Sequence, residues 1–169
     1  MADLLSDACG CLLPASGVVQ GGGPVPPPDK EAEMIAREGG CQCGTVRYRI
    51  HGEPLVVSAC HCDQCRRQSG SAFGMTIIFQ RDDVSMLGGS LKSFERSSDS
   101  ANKVTCYFCG DCGTRIYHAL ERSPGTINIK PGTLDDSSDV TPALHIWVSK
   151  KRGWVTLPDD VPQFEEQPS

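Results

Sequence analysis

Three thiols fall within six residues at Cys60-His61-Cys62-Asp63-Gln64-Cys65. A second group lies far downstream at Cys106, Cys109 and Cys112, and a pair stands upstream at Cys41 and Cys43. Core packing gives cysteines no reason to gather at two- and three-residue intervals. Zinc does, because it takes thiolates at about 2.3 Å in a tetrahedron and short C-x-C or C-x-x-C loops present two of them to one ion. Cys41/Cys43 and Cys109/Cys112 each make half of a four-thiolate site. Joined, they form a closed, structural tetrahedron that clamps an early strand to a late one. Cys60, Cys62 and Cys65 remain for a second ion, so two Zn2+ per chain are expected. The fourth position of that ion is either open, which makes it a Lewis acid, or filled by Cys106, which closes a second structural site. Three thiolates on a dication leave a net negative charge. Such an ion suits a soft ligand, above all a small-molecule thiol that is deprotonated on binding.

Other residues with chemistry near these groups each have a plainer account. Arg66 and Arg67 follow the third thiol and offer a grip on a carboxylate; a solvated basic pair explains them equally well. Ser69 and Ser71 are candidate hydrogen-bond donors to substrate or ordinary turn residues. His118, just after the second knuckle, is a candidate proton shuttle, against a satisfied structural histidine. His61, between two ligands, is poorly placed to be the fourth ligand itself, and reads as a neighbouring donor or a surface imidazole. His145 sits among Leu144, Ile146 and Trp147 and reads as a core or hydrogen-bonded group. Phe73, Met75 and Phe79 are pocket or core.

The elements that must position these groups are short. In 169 residues there are 18 glycines and 12 prolines, which favours turns and strands over long helices. Gly39-Gly40-Cys41-Gln42-Cys43-Gly44 reads as a tight knuckle where the body of the domain begins. Val46, Tyr48 and Ile50 alternate with Arg47 and Arg49 as a half-buried strand, and Leu55 to Ser58 is a short strand delivering Cys60. A helical turn follows Cys65. Strands are then expected at Phe73–Phe79, Leu91–Phe94, Val104–Tyr107, Arg115–His118, Thr126–Ile129, Leu144–Val148 and Trp154–Leu157, with turns at Asp82-Asp83-Val84 and Gly88-Gly89. The fold class is mainly β. Residues 1–35, with Gly21 to Pro28, read as a flexible Pro/Gly-rich N-terminal extension. Cys9 and Cys11 within it carry no assigned role. Residues 36–165 are the expected zinc-binding catalytic domain and 166–169 a tail.

Charge and hydropathy bound the partners. The net charge of −5 argues against nucleic acid as a partner bound through the overall field. No apolar run is long enough to span a bilayer, and the first residues lack the basic start of a signal peptide, so the expected setting is the cytoplasm. In that reducing compartment clustered thiols read as metal ligands, with disulfides the alternative. A homodimer is left open.

GGCQCG, CHCDQCRRQSGSAF, FCGDCGTRIY, PGTLDD and TPALHIWVSKKRGW occur in that order. Together they resemble the glutathione-dependent formaldehyde-activating enzyme family, also called centromere-protein-V-like, over about residues 38–165. The resemblance implies a Mss4-like zinc-binding fold of short antiparallel strands. It matches Cys41, Cys43, Cys109 and Cys112 to structural-zinc ligands, and Cys60, Cys62 and Cys65 to catalytic-zinc ligands. It implies a carbon–sulfur lyase or synthase joining glutathione and formaldehyde as S-(hydroxymethyl)glutathione. The N-terminal extension lies outside it. A non-catalytic two-zinc module for a protein or chromatin partner is the second class of function, and a diverged Lewis-acid enzyme on another small molecule the third. Cys106 discriminates them: a tight fourth ligand favours the scaffold.

Overall fold

The computed structural model describes residues 36–98 and 102–168, which belong to one compact unit. The expectations for residues 1–35, including Cys9 and Cys11, lie outside the described residues. Eleven strands and one α-helix follow one another as β1 (Arg37–Gly40), β2 (Arg47–Ile50), β3 (Val56–Cys60), α1 (Asp63–Ser69), β4 (Gly74–Gln80), β5 (Val84–Gly88), β6 (Leu91–Ser97), β7 (Lys103–Cys109), β8 (Arg115–Leu120), β9 (Thr126–Ile129), β10 (Leu144–Ile146) and β11 (Gln163–Phe164). Short 3-10 turns occupy 81–83, 131–133 and 148–150. The fold is mainly β, as expected.

The strands make two sheets. A small one runs β1-β2-β5, and a large one runs β11-β10-β3-β4-β9-β8-β7-β6. Pairing is antiparallel except where β10 lies parallel to both β3 and β11. The alternation at Val46, Tyr48 and Ile50 places all three fully inside. They pack against one face of the large sheet, where Ile77, Phe79, Ile116, Tyr117, Ile127 and Ile129 join the same core. Tyr107 stacks on Tyr117 at its edge, with ring centroids 4.4 Å apart.

Three local expectations need correction. Gly39 and Gly40 belong to β1 as well as leading into the knuckle. Val84 opens a strand, β5, that gives β2 its second partner. Trp154 to Leu157 form no strand: Trp154 is 77% exposed, and the backbone partner of β10 on that side is β11. The apolar composition of 154–157 carried the strand signal. A two-residue strand embedded in Pro- and acid-rich sequence carries none.

Candidate functional site

The two knuckles are built alike. Cys41–Cys43 ends in Gly44 and Cys109–Cys112 ends in Gly113, and both glycines have positive φ, at 79° and 76°. That left-handed turn folds the backbone back toward the sulfurs. The Val46 amide donates to Cys41 Sγ at 3.2 Å. Cys109, at the end of β7, brings the large sheet to the small one, and the four sulfurs lie within 4.8 Å of one another. Cys43 and Cys109 are 3.8 Å apart. Sulfurs on a zinc tetrahedron with bonds of about 2.3 Å stand roughly 3.8 Å apart, so this donor set fits that ion. A hydrogen bond from the Thr114 hydroxyl leads the influences that draw the Cys112 thiol down to about 5. All eight cysteines from Cys41 to Cys112 are free thiols.

The second group assembles differently. Cys60 ends β3, held between Gly74 of β4 and Ile146 of β10. Cys62 is the N-cap of α1, and the Cys65 amide donates to its sulfur at 3.4 Å, a thiol standing where serine is usual. The three sulfurs again lie within 4.8 Å of one another. Hydrogen bonds from Cys60 and then Cys65 pull the Cys62 thiol far below its ordinary value. A soft, three-thiol donor set of this kind also fits zinc. Gly74 permits the approach, since a Cβ there would sit 3.1 Å from the Cys65 side chain and carbonyl.

Cys106 is not part of the trio's group. It is buried on β7, where the Arg115 guanidinium engages it. With its amide oxygen turned toward Arg115, Gln68 accepts from both guanidinium nitrogens.

His61 turns away from the trio into the protein. Its ring is fully buried against Phe73, and Nε2 lies 3.1 Å from Nδ1 of His145. Its amide donates to the Ile146 carbonyl at 3.0 Å. Of the two expectations for His61 the surface imidazole is therefore overturned, while His145 is the hydrogen-bonded group expected. Arg66 pairs with Asp63 one turn back on α1, and Arg67 is exposed. Ser69 donates to the Phe73 carbonyl at 2.9 Å, and Ser71 is exposed.

Two cavities lie near the trio. One, of about 510 Å³, is lined by Gln68, Ser69, Gly74, Arg115 and Lys130 among others. Burial lowers the Lys130 ammonium to about 8 against an electrostatic pull from Cys65, and Nζ donates to Thr76 Oγ1 at 3.3 Å. Burial also lowers Arg115. The other cavity, of about 260 Å³, has Cys60, Cys62 and Cys65 in its wall together with His118. Ile78, Asn128, His118 and Cys106 are direct partners across β4, β9, β8 and β7, so they share the face opposite the core, and the first three line this cavity. Burial, reinforced by Lys130, Arg96 and Arg115, holds His118 well below the ordinary imidazole value, so the ring is neutral at pH 7.

Sequence reasoning singled out the thiols and His118 but missed Gln68, Arg115, Lys130 and Asn128. Each is an ordinary strand or helix residue in sequence. Only the strand parity of Asn128 and Lys130 put them on one face, and parity does not say which face.

A family model described as "Glutathione-dependent formaldehyde-activating enzyme" matches residues 36–150. A Halomonas elongata protein assigned by name to those enzymes is 23% identical over 125 residues, covering 71% of this chain and 80% of its own. A Penicillium rubens protein assigned to them is 25% identical over 116 residues, covering 68% of this chain and 53% of its own. The chain thus spans about half the length of the fungal relative. A crystal structure of a Rhodobacter sphaeroides protein superposes with a TM-score of 0.48 at 22% identity, covering 62% of this chain and 91% of that one.

Proposed function

Because the chain belongs to the glutathione-dependent formaldehyde-activating enzyme family, we propose that it is a zinc-dependent carbon–sulfur lyase or synthase joining a small-molecule thiol, glutathione or a relative of it, to an aldehyde. One observation carries this reading. Three clustered thiols stand in the wall of a cavity, and Cys106, the only other cysteine on that face among the described residues, is engaged by Arg115 instead of completing the group. A scaffold zinc calls for a fourth protein ligand, a sulfur or an imidazole, and neither joins the three thiols among the described residues.

In this reading Cys41, Cys43, Cys109 and Cys112 hold a structural ion that ties the two sheets, and Cys60, Cys62 and Cys65 hold the second. A zinc ion at the trio supplies a positive centre that lowers a thiol's pKa and keeps its sulfur nucleophilic. The chain's own groups do the rest. Lys130 and Arg115 line the larger cleft beside Cys65 and attract the carboxylates of the thiol. Arg66, committed to Asp63, and the exposed Arg67 are less suited to that task. Neutral His118 hydrogen-bonds the reacting oxygen without bringing a charge of its own. The catalytic body is residues 36–165.

The test is metal content and thiol–aldehyde condensation, measured on the native protein and on Cys62→Ser. Two zincs falling to one, with the fold kept and condensation lost, is the expected result. Unchanged condensation in the variant, or loss of the fold together with both metals, would overturn the reading.

A further inference from the structure

The cavity behind the trio is much larger than formaldehyde requires. Formaldehyde has two heavy atoms and is close to water in size, and water occupies roughly 30 Å³ in the liquid. The cavity measures about 260 Å³, enough on that scale for on the order of eight non-hydrogen atoms. Most of the surface it exposes is apolar, from Val56, Ile78, Leu120, Leu144, Ile146 and Trp147 on β3, β4, β8 and β10 and the residue after β10, while Arg96 and Arg122 add charge to the wall. Cys60, Cys62 and Cys65 are the chemical end of that wall. Two further features mark it as built for a ligand with one polar atom. His118 Nδ1 and Asn128 Nδ2 are buried without a hydrogen-bond partner among the described residues, and His118 and Asn128 face each other directly across β8 and β9 in the same wall. A buried polar atom left unpaired costs about 1–3 kcal/mol, so two neighbours in one cavity ask for a partner. An apolar pocket with a few convergent polar groups is the usual form of a small-molecule site.

We infer that the carbonyl partner of this site is a hydrophobic aldehyde of about six to eight non-hydrogen atoms, with its oxygen at the His118–Asn128 pair and its chain against Ile78, Leu120 and Leu144. The inference rests on the thiol–aldehyde reading and narrows it. The charged thiol occupies the cleft of Lys130 and Arg115, and the aldehyde occupies the cavity that has the trio in its wall. The addition balances without redox change. The sulfur forms a bond to the carbonyl carbon, the carbonyl π pair moves to oxygen, and the thiol's proton ends on that oxygen.

The full-length, metal-loaded protein is tested two ways. Condensation of glutathione with hexanal and with formaldehyde is compared by kcat/KM, in the native chain and in Leu120→Phe and Leu144→Phe, which narrow the cavity. Separately, Trp154→Phe leaves Trp147 as the sole tryptophan reporter in the cavity wall. Its fluorescence is titrated with hexanamide and with formamide, non-reacting carbonyls of the two sizes. The expected result is a hexanal preference of at least tenfold that falls tenfold or more in a folded Phe variant, with hexanamide saturating Trp147 at a tenfold lower concentration than formamide. Turnover of formaldehyde alone, with no response of Trp147 to hexanamide, overturns the inference and leaves the thiol–aldehyde reading standing. Turnover of neither aldehyde, with a saturating hexanamide response, overturns that reading and keeps the cavity's ligand class. Silence in both assays overturns both.

Discussion

Lys130 and Arg115 are the residues whose roles are most open to direct measurement. Lys130 is largely and Arg115 about half withdrawn from water, and both line the cleft assigned to the thiol. A charge-assisted hydrogen bond contributes about 1.5–3 kcal/mol, so Lys130→Met should raise KM for glutathione about tenfold or more. 2-Mercaptoethanol, which has no carboxylate, should show little change in KM. Equal losses for both thiols would mean that Lys130 supports the metal site and not the substrate. Tyr48 offers a quieter case. Its buried hydroxyl donates to Thr133 Oγ1 at 2.8 Å, and Thr133 donates to the Lys130 carbonyl at 2.7 Å. Tyr48→Phe leaves the second bond intact and should cost about 1 kcal/mol in denaturant unfolding.

At the scale of elements, β1 is held close to its neighbours. A Cβ on Gly39 would lie 2.4 Å from both the Thr133 carbonyl oxygen and the Tyr48 hydroxyl. Gly39→Ala must therefore displace β1 or the turn at 131–133, at a cost of about 3 kcal/mol, read as a lowered urea midpoint at unchanged slope. The same strand carries Glu38, which accepts from Arg49 at 2.8 Å, and the neighbouring Arg47 donates to Asp135 at 2.8 Å. The Arg47 hydrogen bond holds the Asp135 carboxyl below the ordinary carboxylate range. A carboxyl lowered on folding adds stability that is complete above its unfolded value and disappears as pH falls through the folded one. NMR titration should place Asp135 below other exposed aspartates in the native chain and return it to their range in Arg47→Met. Local pattern made most of these strands legible: β2, β4, β8 and β9 alternate or cluster apolar residues in the usual way. β5 and β11 were not, because β5 has mostly exposed side chains and β11 is two residues long. Backbone pairing with a neighbour defines them.

For the whole molecule, the described chain has no helix long and apolar enough to cross a membrane. Its one large sheet does two things at once. One face meets the small sheet in an apolar core, and the other carries thiols, Thr76, Asn128 and His118 around a cavity. Spacing in the sequence determined that the thiols come as one C-x-C pair, one C-x-x-C pair and one trio, because short loops bring close neighbours together whatever the rest of the chain does. It also determined the β class, since period-two alternation has one structural meaning. Tertiary structure alone decided that Cys106 lies outside the group of three sulfurs, that His61 faces inward to His145, and that the charges of Lys130 and Arg115 come under the influence of Cys65. Those contacts join residues tens of positions apart through strand order and register, and no local preference of a residue type specifies which strand will lie beside which.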